Sequence, residues 1–242
     1  MKTLTITCLM LLIIFGSFRT NAQQTINYGS NNGKYLSVYG TKIYYEEYGS
    51  GPPLLLLNGG LSTISIFSNV IPELSKHFRV IVSDAPGEGR SEQADSLSYK
   101  VMASYASKMI DLLKLDSVYV YGFSLGGCVA LRLAADRPDK VKMTVVHSGA
   151  YNYDGFEPGF GGDKVSPEAI AAHPQFWLND HLEKSPQKEN WKKFLQDFAK
   201  MMSARKVISE DQLQQIKHPV LVIQGDQDLI RTEHALKMHN LI

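Results

Sequence analysis

The chain has 242 residues, of which 44% are hydrophobic, 10% aromatic and 20% charged. This composition is typical of a globular protein and excludes disordered, collagen-like and repeat classes. The 25 lysine and arginine residues balance 24 aspartate and glutamate residues, and no long basic run is present. The sequence therefore argues against binding to nucleic acid or to an anionic membrane surface.

The first 22 residues have the pattern of a secretory signal peptide. Lys2 supplies a positive charge, residues 4–15 are almost wholly apolar, and residues 20–22 allow cleavage after Ala22. The apolar run is shorter than the roughly 18 residues needed to span a bilayer, so a single membrane anchor is the less favoured alternative. We expect a secreted or periplasmic protein with no stable membrane insertion after cleavage.

The cysteine content indicates that packing, not disulfides, stabilises the mature chain. Of the two cysteines, Cys8 lies within the signal peptide. A mature chain in an oxidising compartment would then hold Cys128 alone and could form no internal disulfide.

The order of apolar segments predicts an α/β architecture. Residues 35–48 alternate around Gly40 and Thr41, which predicts an antiparallel hairpin. Five later runs are apolar on both faces, as in a parallel sheet covered by helices; they are residues 54–57, 80–83, 118–121, 143–146 and 220–223. Helical patterns separate the first four runs, at 64–76, 99–114 and 125–135. In such a sheet, ligands bind beyond the carboxyl ends of the strands.

A long segment interrupts this alternation. About seventy residues separate the strand before Ser148 from the strand after Lys217, more than one crossover helix requires. Its start is rich in glycine and aromatic residues and is predicted to be irregular. Helices are expected at 168–172, 175–184 and 189–204, and Ser209 with Gln212 forms a capping-box pattern. The sequence thus divides into a signal (1–22), a core (23–149 and 217–242) and an inserted segment (150–216).

A candidate nucleophile lies between a strand and a helix. Residues 122–126 read GFSLG, and a sharp strand-to-helix turn there would expose Ser124. Gly122 and Gly126 suit such a turn because larger side chains would collide with neighbouring backbone. The structural alternative is an N-cap serine at a glycine-rich helix start.

Several motifs together resemble the α/β-hydrolase superfamily, from about residue 35 to the end of the chain. Besides GFSLG, these are LLLLNGG at 54–60, VIVSDAPGEGRS at 80–91 and PVLVIQGDQD at 219–228. The resemblance implies a nucleophile at Ser124, an oxyanion hole formed by the backbone N–H groups of Leu125 and Gly60, and a helical cap over residues 150–216. It implies no cofactor. Asn58 stands where the family more often has histidine.

The resemblance also assigns the acid. Asp228 matches the family's acid position after the last recognised strand, where a carboxylate orients a catalytic imidazole, and Asp226 is the alternative. Asp84 matches a residue that holds a turn. The GEGRSE stretch lacks the third glycine of a dinucleotide fingerprint. A serine at 124 argues against dehalogenase and epoxide-hydrolase chemistry, which use aspartate at that position in this superfamily.

The catalytic base is the one component of the site for which these motifs supply no residue. In the family a histidine follows the acid after a further helix and strand, roughly 25 or more residues later, and only residues 229–242 follow Asp228. We expect the final strand, the histidine loop and the last helix to be missing from this chain. The histidines present are less suitable: His147 ends a strand, His77 and His218 flank strand starts, His173 and His181 lie in the insertion, and His234 and His239 share a helix pointing away from Ser124. None has the spacing of a metal site.

The sequence therefore predicts a secreted serine hydrolase of carboxylesterase type (EC 3.1) that acts on an ester or related acyl bond of a small molecule. Tyr151, in the aromatic inserted segment, is a candidate substrate contact. The alternative is a truncated, catalytically impaired relative that binds a small apolar ligand or is vestigial. The sequence sets neither the substrate nor the oligomeric state.

Overall fold

The computed structural model describes residues 25–157, 166–168, 175–204 and 206–242, without the side chains of 175–178. Within this part of the chain a seven-stranded sheet has the order β1-β2-β4-β3-β5-β6-β7. The strands are β1 (Lys34–Val38), β2 (Thr41–Tyr48), β3 (Pro53–Leu57), β4 (Arg79–Ser83), β5 (Val118–Phe123), β6 (Val141–His147) and β7 (Val220–Ile223).

The first two strands form the predicted hairpin at one edge of the sheet. β1 pairs antiparallel with β2, and Val38 lies opposite Thr41. The turn residues Tyr39 and Gly40 both have positive φ, at 52° and 86°, as in the two-residue turns that match strand twist. The turn is one residue earlier than the sequence suggested.

The remaining strands form the predicted parallel sheet. β4, β3, β5, β6 and β7 pair parallel in that order. On one face pack α2 (Tyr99–Leu112) and α3 (Leu125–Asp136), covering residues such as Leu55 and Val120. Leu54 and Leu56 face the other side and pack against Ile64, Phe67 and Ile71. This arrangement confirms the predicted fold class, a mostly parallel sheet with helices on both faces.

The helix predicted over 64–76 is broken into two short pieces. A 3₁₀ turn covers Ile64–Phe67, and α1 covers Ile71–Leu74. Thr63 caps the 3₁₀ turn, and Pro72 lies in the first turn of α1. Proline has no N–H to continue an earlier helix but fits a helix start, so the chain begins a new helix there.

Helices also occupy the stretch between β6 and β7. They are α4 (Gln175–Lys184), α5 (Trp191–Met202) and α6 (Glu210–Gln214), and α7 (Thr232–Leu241) follows β7. The capping box of Ser209 and Gln212 is present at the start of α6. The predicted signal peptide, most of the predicted helix at 168–172 and the glycine-rich stretch at 158–165 lie outside the described residues. No helix within the described residues is long and apolar enough to cross a bilayer.

Candidate active site

Ser124 occupies a strained turn between β5 and α3. Its φ is 53° and its ψ is −117°, a backbone conformation that non-glycine residues rarely adopt. Its N–H donates to the carbonyl of His147 at 2.8 Å, and its carbonyl accepts from Gly127 N–H at 2.9 Å. These bonds hold the turn at the carboxyl end of β5, with the serine only partly buried.

The two glycines of GFSLG are required by close backbone contacts. A Cβ atom on Gly122 would lie 2.0 Å from the carbonyl oxygen of Gly126. A Cβ atom on Gly126 would lie 2.0 Å from the carbonyl oxygen of Leu57. The collisions expected from the sequence are therefore present, and they involve backbone atoms that cannot rotate away.

The residues predicted to form the oxyanion hole lie on both sides of the turn. Leu125 is the first residue of α3, so its N–H has no carbonyl one helical turn earlier. Gly60 lies across from it, because a Cβ atom there would approach Leu125 Cδ2 to 3.2 Å. Gly60 N–H makes no hydrogen bond to any described residue. The structure thus brings Gly60 and Leu125 together beside Ser124.

The loop that carries Gly60, residues 58–62, is held by a buried side-chain network. We call residues 58–62 the oxyanion loop. Asn58 is 5% exposed, and its Nδ2 donates to Ser62 O at 2.8 Å and to Glu88 Oε2 at 2.9 Å. Glu88 Oε1 accepts the N–H of Leu61. Sequence reasoning missed Glu88; the departure of Asn58 from the usual histidine was the signal that this hydrogen bonding would differ.

Asp84 holds the neighbouring turn, as expected. Its buried carboxylate accepts the N–H groups of Ile64 and Arg90, both at 2.9 Å, and the hydroxyl of Tyr28. Burial raises the pKa of Asp84 to about 7, although the two backbone donors oppose this shift. The residue joins three segments and does not contact Ser124.

The predicted acid, Asp228, lies in the loop after β7. Its carboxylate accepts the Ser148 hydroxyl at 2.6 Å, Ile230 N–H at 3.0 Å and Gly225 N–H at 3.3 Å. Asp226 is exposed to solvent and makes no such bonds. Because β5, β6 and β7 run parallel, the loop after β7 lies at the same edge of the sheet as Ser124. The two aspartates of this loop differ in their hydrogen bonds, which hold Asp228 and not Asp226.

No described histidine hydrogen-bonds to Ser124 Oγ or to Asp228. The ring of His147 lies against Phe123, and its Nδ1 is 2.6 Å from the hydroxyl of Tyr121. In α4, His181 is buried against Trp191, and its ring nitrogens have no partner among the described residues. His173 lies outside the described residues. The structure therefore assigns no base.

Tyr151, the predicted substrate contact, is a core residue in this arrangement. It is 1% exposed, and its ring stacks on His234 at a centroid distance of 4.4 Å. Its hydroxyl donates to Glu210 at 3.1 Å, and its N–H donates to His234 Nε2 at 3.3 Å. His234 faces Tyr151 and not Ser124. The Tyr151 side chain is left with almost no surface for a ligand.

A cavity of about 30 Å³ lies behind the nucleophile turn. Mostly apolar side chains from the sheet, from α2 and from α3 line it, among them Leu57, Met102 and Val129, together with Asn58 and Asp84. Ser124 does not line the cavity, although Leu125 and Gly126 do.

Comparison with known proteins agrees with the fold described above. The family model of the alpha/beta hydrolase fold matches residues 52–192. A 2-hydroxy-6-oxo-2,4-heptadienoate hydrolase of Pseudomonas putida is 27% identical, over 89% of this chain and 87% of that protein. A pimeloyl-[acyl-carrier protein] methyl ester esterase of Aeromonas hydrophila is 25% identical, over 73% of this chain and 63% of the esterase.

Solved structures show the same fold. A hydrolase from Pseudomonas aeruginosa superposes with a TM-score of 0.69 at 23% identity, covering 87% of each chain. The enol-lactonase of Burkholderia xenovorans gives a TM-score of 0.67 at 21% identity, over 86% of this chain and 88% of that one. With the family model matching more than half of its length, the chain belongs to the α/β-hydrolase-fold family.

Proposed function

We propose that this protein is a serine hydrolase that acts on an ester or related acyl bond of a small molecule. The observation that carries the proposal is the turn at Ser124, with its φ of 53°. The Leu125 N–H lies on one side of this turn and the oxyanion loop on the other. A serine held in this way is the arrangement expected of a nucleophile beside an oxyanion hole.

The proposed mechanism begins with attack of Ser124 Oγ on the acyl carbon. The negative charge that develops on the substrate oxygen would be stabilised by the N–H groups of Gly60 and Leu125. Asp228 would orient a histidine that takes the serine proton and returns it to the leaving group. The three donors to the Asp228 carboxylate support a fixed carboxylate at this edge of the sheet. The histidine itself is left unassigned.

The substrate class is inferred from the relatives and from the chemistry of serine. The named relatives include a methyl ester esterase and a hydrolase of a heptadienoate. We infer an ester, as for a carboxylesterase, with related acyl or carbon–carbon bonds as alternatives. The inserted segment (150–216) would act as a cap, since Phe198 of α5 lies against Gly60.

Labelling with a fluorophosphonate probe tests the nucleophile. We expect the full chain to react at Ser124 and the Ser124→Ala variant not to react. Ser203→Ala is a matched control, because Ser203 is an exposed serine at the end of α5 and should label like the wild type. A folded wild-type chain that fails to label would overturn the proposal.

A second candidate function is ligand binding without turnover. It is favoured by one observation: neither Ser124 Oγ nor the Asp228 carboxylate hydrogen-bonds to the ring of a described histidine. A 4-nitrophenyl ester separates the two candidates. Sustained release of nitrophenol by the wild type, lost in Ser124→Ala, supports the hydrolase. Release equal in the two proteins supports the binding protein.

Export is proposed from the sequence of residues 1–22 alone. Processing after Ala22 predicts a mature protein that begins at Gln23. Sequencing the N-terminus of protein recovered outside the cytoplasm tests this. A protein that keeps Met1 and is protected from external protease would contradict it.

A further inference from the structure

Glu88 is a buried carboxyl group with no cation beside it. It lies in the turn after β4, is 3% exposed and forms no ion pair with any described lysine or arginine. Its carboxyl group reaches the oxyanion loop, where one oxygen accepts Leu61 N–H and the other accepts Asn58 Nδ2. Burying such a group without a counter-charge is costly. Its hydrogen bonds to the oxyanion loop offset part of this cost.

The oxyanion loop has a conformation that needs such support. Leu61 has a φ of 60°, a left-handed conformation that is unfavourable for leucine. Two further bonds close the loop: Asn58 Nδ2 donates to Ser62 O at 2.8 Å, and Ser62 Oγ donates to Gly59 O at 2.6 Å. The amide of the strained residue itself is held by Glu88.

The orientation of two adjacent amides follows from this contact. Leu61 N–H is taken by Glu88, whereas the preceding Gly60 N–H makes no bond to a described residue. Gly60 also lies beside Leu125 and Phe198. The Leu61 N–H and the Gly60 N–H belong to successive planar peptide units that meet at the Cα atom of Gly60, so fixing the first limits the orientations open to the second.

We propose that Glu88 is a positioning residue: with Asn58 it fixes the Leu61 amide and thereby directs the Gly60 N–H toward the oxyanion. This inference rests on the proposed serine-hydrolase function and adds to it a residue that does not touch the substrate. It also explains how a chain with asparagine at position 58 keeps its loop in place. The asparagine amide and the glutamate carboxyl group form one hydrogen-bonded pair across the two loops.

The charge state of this pair should respond to pH. Burial raises the pKa of Glu88 to about 8, the donors Leu61 and Asn58 lower it, and the neighbouring Asp84 raises it. The folded loop binds the Glu88 proton more tightly than an opened, solvated loop does, so opening becomes easier as pH rises. The protection factor of the Leu61 amide in hydrogen exchange should therefore fall as pH increases from about 4.5 to about 8.

The test compares Glu88→Ala, Glu88→Gln and the control Glu92→Gln in the full chain. Glu92 lies in the same loop, and its carboxylate also accepts a backbone N–H, that of Lys42 at 2.9 Å, but it is away from the oxyanion loop. Two quantities are measured: the rate constant of fluorophosphonate labelling at Ser124, and the protection of the Leu61 amide. Circular dichroism shows that each variant is folded.

We expect labelling to slow by about 10- to 100-fold in Glu88→Ala, less than or equal to the loss of a complete oxyanion donor. Glu88→Gln keeps one acceptor oxygen for the Leu61 N–H, but its NH2 group would face the NH2 group of Asn58, and two donors cannot bond to each other. The labelling rate of this variant should therefore lie between those of Glu88→Ala and the wild type. Leu61 protection should fall in the same order, and its decrease between about pH 4.5 and pH 8 should vanish in both variants. For ester hydrolysis, kcat should fall while KM stays unchanged.

Failure of the positioning role can be distinguished from failure of the proposed hydrolase function. If the wild type labels and the folded Glu88→Ala variant labels at the same rate, the positioning role is wrong and the hydrolase proposal stands. Should Glu88→Ala not fold, the same comparison is made with Glu88→Gln, and a wild-type rate there overturns the inference. If the wild type itself does not label, the proposed function fails and the oxyanion role of Glu88 fails with it.

Discussion

The two halves of the candidate site are built in different ways. The nucleophile half (residues 53–62, 79–91 and 118–136) lies on the central strands β3, β4 and β5, each paired on both sides. The acid half (residues 141–148 and 220–231) ends at β7, an edge strand of the described sheet, where Leu221 is 52% exposed. Backbone contacts and a buried side-chain network set the shape of the first half, and side-chain hydrogen bonds near solvent set that of the second.

Because of this difference, we expect substitutions in the two halves of the site to have effects of different size. In the nucleophile half, a glycine is fixed by a carbonyl oxygen that cannot move, as at Gly126 and Leu57. In the acid half, Gly225 has nothing within 4 Å of the position of a Cβ atom. Substitutions should therefore have steric and large effects in the first half, and polar and smaller effects in the second.

The largest predicted effect is that of Gly126→Ala. The added methyl group would lie 2.0 Å from Leu57 O, and β3 cannot shift because β4 and β5 hold it on both sides. We expect a loss of more than about 3 kcal/mol of folding free energy, the upper end for overpacked sites, together with loss of Ser124 labelling. Urea denaturation measures the first quantity.

Gly225→Ala is the matched control from the acid half. An alanine there meets no atom within 4 Å, so the change should stay within about 0.5 kcal/mol, as for most surface substitutions. Equal losses in the two variants would show that the two halves do not differ in the way described.

Local motifs made the nucleophile half predictable from sequence. A strand, a five-residue turn and a helix follow one another in GFSLG, so the conformation of Ser124 depends on its immediate neighbours. The parallel strands were predictable for a similar reason, because each is a continuous apolar run. By contrast, the interruption at 68–70 required knowing that Pro72 begins a new helix and does not continue an earlier one.

Long-range side-chain pairing was not predictable. Glu88 acts on Leu61, which lies 27 positions earlier, and nothing in GEGRSE shows that the turns after β3 and β4 meet. The sequence predicts a substrate contact at Tyr151 because it is an aromatic residue in the inserted segment. Its partners Glu210 and His234 are 59 and 83 positions away, and only the fold shows that they enclose the ring.

Glu88 gives the nucleophile half a pH dependence that the acid half should not share. Its pKa is raised from 4.5 in the unfolded chain to about 8, so folding favours the protonated acid. The stability it contributes is fully present below about pH 4.5 and is lost as pH rises through about 8. We expect stability to fall over this range and the curve to be flatter for Glu88→Gln, measured by urea denaturation at a series of pH values.

The slope left in Glu88→Gln should come from Asp84, whose pKa is also raised by burial, to about 7. Glu92→Gln serves again as the control and should keep the wild-type slope. A Glu88→Gln curve as steep as that of the wild type would show that Glu88 does not titrate in this range.

His234 packs beside the acid half. We expect it to give the folding stability the opposite pH dependence. It is 7% exposed under Tyr151, and burial lowers its pKa from 6.5 to about 4. The neutral ring accepts Tyr151 N–H. Its contribution to stability is present above about pH 6.5 and is lost as pH falls through about 4. His234→Gln should flatten this acid limb in thermal or urea denaturation.

His239 supplies the control for this experiment. It lies on the same helix, α7, but is exposed, so His239→Gln should leave the acid limb unchanged. If both variants flatten the limb equally, helix charge and not burial of His234 would be its cause.

The smallest predicted effect distinguishes the two aspartates of the acid half. Asp228→Ala removes the acceptor of the Ser148 hydroxyl and of two backbone N–H groups, those of Gly225 and Ile230. Because the carboxylate is half-buried, we expect a cost of about 1 to 2 kcal/mol, whereas Asp226→Ala should cost less than about 0.5 kcal/mol. Urea denaturation of the two variants at one pH measures the difference. Equal costs would mean that the hydrogen bonds around Asp228 do not hold the loop, and the acid half would then lack the fixed carboxylate that the proposed mechanism requires.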